Sequence, residues 1–509
     1  MRQVNGDRQR RVQFWAKRLD EIASERRKLI LQLEALDAQR KAAELEHNLL
    51  YNLDAPTSNF PNEVLSMIFE TGAAQDLGEN PTYVFGCIVS HVSHRWRSVA
   101  LATPRLWTQI RLIGNPHDGS HYAPSMLPND NDMPPPASSE KVCTYLSRSG
   151  VAPVDIHIKI NYEDIADELL QTIADHIGHC RSLAVTGVRR VSLSKLLKIA
   201  SQHRAPVLVS LSLCSFSSSF SDPLFPLGAP RLKNVALDRS NILALAPVCL
   251  PAFESVTQLR LSDLYFQNAE VYDSLRRMLI ILHSLSYLEL QFAGAITDSL
   301  QSLQLIELPT LQYLEVDCEG CPETLSHTMR IIRAPNLNCL SLVGFVDEHR
   351  PAWPLMLPDC HCPSLRHLMI TEFATATFKD FDWLAKLYPN IEKLTFRLLG
   401  LEEGDGSEDL DWVLTAIVGP GPHERVRNGP GRGVRWPKLK SIAVSGLETT
   451  YHASDWQDNI LKLKTAGVKK LSLPETFLAS ARYVAKMRGV AINFEEYREE
   501  CLTPFARVV

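Results

Sequence analysis

Five positions invite a metal first: Cys318 and Cys321 form a C-x-x-C, and Cys360, His361 and Cys362 stand together further on. A structural zinc site needs four ligands converging from compact, correctly spaced knuckles. Here the first pair closes one expected strand and the other three lie in a proline-flanked loop, so neither a metal nor another cofactor is expected. Ser192-Leu193-Ser194-Lys195 has the S-x-x-K spacing of a serine nucleophile with a lysine base, but the companion motifs of such a hydrolase are missing. Gly429, Gly431 and Gly433 fall in a proline-rich stretch, not between a strand and a helix where a glycine loop cradles phosphate. No Walker, H-E-x-x-H or G-x-S-x-G string occurs. The chain reads as non-catalytic, a protein that binds.

What does recur is a spacing: an apolar residue, another three positions on, and a third two positions later. Its anchors are Val151/Val154/Ile156, Cys180/Leu183/Val185, Leu208/Leu211/Leu213, Leu232/Val235/Leu237, Val256/Leu259/Leu261 and Leu285/Leu288/Leu290. The series continues through Leu311/Leu314/Val316, Leu337/Leu340/Leu342, Leu365/Leu368/Ile370, Ile391/Leu394/Phe396, Leu439/Ile442/Val444 and Val468/Leu471/Leu473. First anchors lie 24 to 29 residues apart, with one gap of 48 that reads as a doubled unit carrying an insertion. This interval is that of leucine-rich repeats. The fold class is therefore α/β: a solenoid over 140–497, with a curved parallel sheet inside and helices outside, the latter exemplified by Ala269 to Leu282. At 509 residues the chain is too long for one core, and a repeat array resolves this because each unit buries its apolar face against its neighbours.

Between the anchors, alternate strand residues point away from the core. Stacking the units gives one outward column of Asn234, Gln258, Tyr287, Tyr313, Cys339, His367 and Lys393. The next column holds Ala236, Arg260, Glu289, Glu315, Ser341, Met369 and Thr395, and a third holds Gln291 and Asp317. Strands in a sheet lie about 4.8 Å apart, so Tyr287 and Tyr313 are expected to be neighbours beside Glu289, Glu315 and Asp317. Two aromatics next to three carboxylates form a candidate receptor for a basic, partly apolar peptide, with His367 further along. The competing reading is an ordinary mixed polar strand face.

Two elements precede the array. Over residues 1–54 a heptad register runs through Val12, Trp15, Leu19, Ile22, Arg26, Leu29, Leu33, Leu36, Arg40, Ala43, His47 and Leu50. A long helix is expected, a possible coiled coil whose seam is weakened by Arg26, Arg40 and His47. Over residues 55–112, Pro61 suits a first helical turn, and Val64, Leu65, Ile68 and Phe69 make an apolar face. Ile88, Val89, Val92, Trp96 and Val99 repeat at helical spacing, and Thr103-Pro104 ends that helix before Leu106 and Trp107.

Phe60-Pro61-Asn62-Glu63-Val64-Leu65 with Ile68-Phe69 resembles the opening of an F-box. Val92 to Ala100 followed by Thr103-Pro104-Arg105-Leu106-Trp107 resembles its end, although Phe60 stands where the family commonly has Leu. Helical leader, F-box and irregular leucine-rich repeats in that order resemble the large F-box family of mushroom-forming fungi. The resemblance implies a substrate-recognition subunit of a cullin-type (SCF) ubiquitin ligase, which docks a Skp-type adaptor and, through it, a cullin. The adaptor-binding residues it implies are Phe60, Pro61, Val64, Leu65, Ile68, Phe69, Val89, Val92 and Trp96. The alternative is a leucine-rich-repeat scaffold unconnected with ubiquitin, self-associating through the leader.

Residues 113–139, with six prolines among Asn, Asp and Ser, read as a disordered linker. Residues 400–436 read as an acidic, then Gly/Pro/Arg-rich insertion, and 498–509 as a tail. With 53 basic and 58 acidic side chains no global field favours nucleic acid or an anionic membrane. No apolar run approaches the ~20 residues of a membrane span, and the start lacks a secretory core. Eleven cysteines without a regular framework fit a reducing compartment, so cytoplasm or nucleus is expected.

Overall fold

The computed structural model describes residues 2–53, 56–75, 85–113, 139–160, 165–188, 190–214, 224–238, 250–264, 269–292, 304–317, 324–344, 362–373, 382–398, 417, 436–445, 463–464, 467–487, 489–497 and 505. The expected linker after 113, most of the 400–436 insertion, Cys318, Cys321, Cys360, His361, the glycine cluster and the tail apart from Phe505 lie outside them. The chain divides into two units, Met1–Leu106 and Trp107–Val509.

The first unit opens with α1, Arg2–Leu53. Arg, Glu, Leu, Ala and Gln dominate it, all good helix formers, and pairs such as Arg40 with Glu44 (2.8 Å) brace its surface. Its described side chains are all exposed. Three short helices follow: α2 (Asn62–Gln75), α3 (Phe85–Ser90) and α4 (His94–Leu101). The Ser93 hydroxyl caps α4 by accepting from the Trp96 amide at 3.2 Å, satisfying a donor that the first turn leaves unpaired. α2 meets both α3 and α4, with the Phe69 and Trp96 rings 4.9 Å apart. Ser66 and Thr103 hydroxyls bond at 2.9 Å, and Thr103 also donates to the Val99 carbonyl, which closes the end of α4.

The second unit is a mixed α/β array built on one parallel sheet of 14 strands that follow one another in chain order. They are β1 (Gln109–Ile113), β2 (Val154–Lys159), β3 (Cys180–Thr186), β4 (Ser210–Cys214), β5 (Asn234–Asp238), β6 (Gln258–Leu264) and β7 (Tyr287–Phe292). They continue as β8 (Tyr313–Asp317), β9 (Cys339–Val343), β10 (His367–Phe373), β11 (Lys393–Leu398), β12 (Ser441–Ser445), β13 (Lys470–Leu473) and β14 (Asn493–Glu496). A parallel pair cannot turn back in two residues and needs a crossover, supplied in the described parts by helices such as α5 (Ser139–Ser149), α6 (Asp167–Asp175) and α7 (Arg190–Ala200). α8 (Ala269–Ile281) occupies the stretch expected to be helical.

The anchors do what their spacing requires. Leu208, Leu211 and Leu213, Leu285, Leu288 and Leu290, and their counterparts in the neighbouring units are buried in one continuous core with helix residues such as Leu170, Leu196 and Leu275. Each fully buried leucine contributes about 1.5–3 kcal/mol, so the sheet face turned toward the helices holds the array together. The opposite face of the sheet, the open face, carries the alternate strand residues. Just before most of the strands in the middle of the sheet one carbonyl accepts two amides from the next unit: Thr257 from Ser286 and Tyr287, Ser286 from Gln312 and Tyr313, Gln312 from Asn338 and Cys339. This two-pronged contact fixes the register of each unit on the last.

Three expectations change. Val151 is not an anchor: it is 92% exposed in the turn after α5, where Gly150 takes φ 56° and reverses the chain as helix-terminating glycines do. The gap of 48 residues is not a doubled unit, because Lys393 of β11 pairs directly with Ser441 of β12. The residues 109–112 grouped with the preceding module form β1 of the sheet, in register with β2 from Gln109 opposite Asp155 onward. Trp107, Ile110 and Leu112 are buried there, with Trp107 packed on Tyr145 of α5.

Candidate functional site

The open face gathers its chemistry on β6, β7 and β8. Pairing sets Gln258, Tyr287, Tyr313, Cys339, His367 and Lys393 side by side, the column expected from the sequence. Tyr287 and Tyr313 stack with centroids 4.3 Å apart and planes 6° from parallel. Each phenol donates to the carboxylate two residues along its own strand, Tyr287 to Glu289 at 2.6 Å and Tyr313 to Glu315 at 2.7 Å. The second oxygen of Glu289 is taken by the Arg260 guanidinium from β6.

Electrostatics follow from burial. Desolvation, then the neighbouring Tyr313, Glu289 and Glu315, push the Tyr287 hydroxyl far above its ordinary range. Desolvation, then Glu315, does the same to Tyr313, so both phenols remain donors. The Glu315 carboxyl is also raised, first by burial and then by the charge of Glu289. Both carboxyl groups are engaged within the protein: Glu289 by an arginine and a phenol, and Glu315 by the Tyr313 phenol. The structure thus places Tyr287, Tyr313, Glu289 and Glu315 of the expected receptor side by side, with both glutamates hydrogen-bonded within the chain. Asp317 extends the same ladder opposite Gln291. His367 is two strands beyond Tyr313 and bonds Thr395 at 2.9 Å, apart from the tyrosine cluster.

Two further residues belong to this cluster. Arg260 was legible as the cross-strand neighbour of Glu289, an opposite-charge pair. Phe505, late in the chain, carried no signal at all: its ring is 8% exposed, 6.3 Å from Tyr287, with the Arg260 guanidinium 5.0 Å from its centroid. It joins Ala236, Tyr287, Tyr313, Cys339 and Met369 in an apolar cluster separate from the main core.

In the helical unit, Val64 and Ile68 are exposed on α2, with Phe60 and Pro61 just before it and Val92 just after α3. Met67 and Ile88, not singled out from the sequence, are exposed too. Leu65, Phe69 and Val89 are instead buried, and Trp96 is half-buried against Phe69. Residues one apart on a helix point about 100° apart, so 64/68 and 65/69 divide between solvent and interior. The Arg95 guanidinium fastens the entry to α2: it donates to the Phe60 carbonyl, to the Thr57 carbonyl at 3.3 Å and to Asn62 Oδ1 at 3.1 Å. Gly72 lets Phe85 of α3 lie on α2, since a Cβ there would come within 2.4 Å of that ring.

Among the described residues there is no group of three His, Cys, Asp or Glu able to hold a metal, and no helix long and apolar enough to cross a membrane. Cys362 is a buried core residue. Ser192 of the S-x-x-K string accepts from the Ile165 amide, and Lys195 pairs with Asp167.

No family model matches the chain, and no curated protein does. Among solved structures, a protein from Bacteroides fragilis is similar over 48% of this chain and 68% of its own, at 12% identity and a TM-score of 0.23.

Proposed function

We propose that the chain is a non-catalytic substrate receptor of a cullin-type ubiquitin ligase, with residues 60–107 as an F-box that docks a Skp-type adaptor and leucine-rich repeats that hold a protein substrate on the open face. One observation carries the reading: Phe60, Val64, Met67, Ile68, Ile88 and Val92 stay exposed around a three-helix element whose Leu65, Phe69 and Val89 are buried. An element this small gains little from its own burial, and large apolar side chains left in water on it are the feature that a groove on a partner would cover. The work is positional. Holding a target lysine near a charged conjugating enzyme raises its effective concentration without a catalytic group on this chain.

Co-purification with a Skp-type adaptor tests this. The wild-type chain is expected to retain the adaptor and a Val64→Asp/Ile68→Asp variant to lose it, with thermal melting unchanged because both side chains face solvent. Failure of the wild-type chain to retain any such adaptor sinks the proposal.

A second reading, a self-associating scaffold, draws on α1, where Val12, Trp15, Leu19, Ile22, Leu29, Leu33, Leu36 and Leu50 are all exposed. Apolar residues at a and d positions with no partner are a seam for a second helix. Sedimentation of the full chain would show a dimer that Leu29→Asp/Leu33→Asp dissolves.

A further inference from the structure

On the open face the ring of Phe505 packs against Tyr287 and Arg260. We propose that the cleft formed by Tyr287, Tyr313, Met369 and Arg260 is a receptor for a phenylalanine side chain presented by a peptide, and that Phe505 is its resident occupant, which an incoming segment must displace.

The floor of the cleft is aromatic. Tyr287 and Tyr313 stack flat, and the Phe505 ring meets Tyr287 tilted by 57° at 6.3 Å, within the range where the edge of one ring is attracted to the face of another. The other wall is cationic: Arg260 stands 5.0 Å from the Phe505 centroid, and a guanidinium over a ring face is attracted by its quadrupole. Arg260 is itself fixed by Glu289, and Glu289 by Tyr287, so the wall is set before any ring arrives. Ala236, Cys339 and Met369 complete an apolar lining.

The same contacts exclude other side chains. The phenol hydroxyls are committed to Glu289 and Glu315, so the floor offers rings and not donors. An acidic side chain would meet two carboxyl groups, and a basic one would meet Arg260. A neutral aromatic ring satisfies both surfaces. Phe505 comes from outside the expected repeats and packs on this face, where Tyr287 and Tyr313 are buried. An occupant tethered in the same chain competes at high effective concentration, so the cleft would answer only to a ligand able to outcompete it. This deepens the proposed role of the open face as the substrate side and does not depend on adaptor docking.

Fluorescence anisotropy with a labelled peptide copying residues 499–509 tests it on the full-length chain. The peptide is expected to bind a Phe505→Ala variant at least tenfold more tightly than the wild type, and the same peptide with its phenylalanine changed to alanine is expected to bind neither. Phe505→Leu keeps apolar bulk on the sheet but no ring, and it should bind the peptide nearly as well as Phe505→Ala, so the test survives if the alanine variant folds poorly. Equal affinity for wild type and variants, no binding to the variants, or undiminished binding of the alanine peptide overturns the proposal. The adaptor co-purification is read separately, so failure of the peptide does not count against docking, nor the reverse.

Discussion

The ring of Tyr287 lies flat on that of Tyr313, 4.3 Å between centroids, because the two are direct partners across β7 and β8. The stack aims both hydroxyls at carboxylates on the same face, Glu289 and Glu315. Tyr313→Phe keeps the stack but removes a donor from the half-buried Glu315 carboxyl, and is expected to cost about 1–3 kcal/mol. Tyr313→Ala removes the ring as well and should cost about 3–5 kcal/mol. Urea midpoints of the two variants, compared with wild type, check the order; equal losses would refute the division between ring and hydroxyl.

Glu315 makes stability depend on pH. Its carboxyl is raised above the ordinary 4.5, first by burial and then by Glu289, so the folded protein holds this proton more tightly than the unfolded chain. The contribution is fully present below the unfolded pKa and is lost as pH rises through the folded one. Glu315→Gln still accepts from Tyr313 and carries no charge. Thermal melts between about pH 4.5 and about pH 8 should show the variant gaining on wild type as pH rises.

Gly187 follows β3 with φ 70°, and a Cβ there would stand 2.3 Å from the carbonyl oxygen of Ile160. The obstacle is backbone and cannot swing aside. Gly187→Ala is expected to cost more than about 1–2 kcal/mol through the left-handed conformation alone. Its signature should be faster amide exchange at Ile160, which donates to Thr186, and at Gly187, which donates to Cys214. Protection unchanged at both would overturn the account.

Arg95 ties α4 to the entry of α2 through Thr57, Phe60 and Asn62. A lysine has no planar fork to reach three acceptors, so Arg95→Lys is expected to cost about 1–2 kcal/mol. Hydrogen exchange would show this as lost protection at Phe60, which donates to Thr57, and at Leu65, which donates to Pro61.

Neighbouring positions on α2 should separate stability from binding. Leu65 is fully buried and Ile68 is 46% exposed. Leu65→Ala is expected to cost about 2–5 kcal/mol and Ile68→Ala under about 0.5 kcal/mol, while only the second acts on adaptor capture without unfolding. Calorimetry alongside co-purification distinguishes them; a large melting shift for Ile68→Ala would place that side chain in the interior.

The anchor spacing alone determined the parallel sheet, its register and which strand residues face out, because a period of two within strands and of 24 to 29 between them leaves few arrangements that bury every leucine. The same local rule placed Tyr287 beside Tyr313 and a helix at Ala269–Ile281. It failed where a turn removed Val151 from the core, and it assigned the β1 residues to the preceding module. Along α2, the apolar face read as one docking surface divided into buried Leu65 and Phe69 and exposed Val64 and Ile68, a choice made by the helices that pack on it. The burial of Glu289, the raised pKa of Glu315 and the seat of Phe505 were decided only in three dimensions. Phe505 meets Tyr287 and Arg260 from more than two hundred residues further along the chain, and desolvation and ring contacts of that kind leave no periodic trace in a sequence.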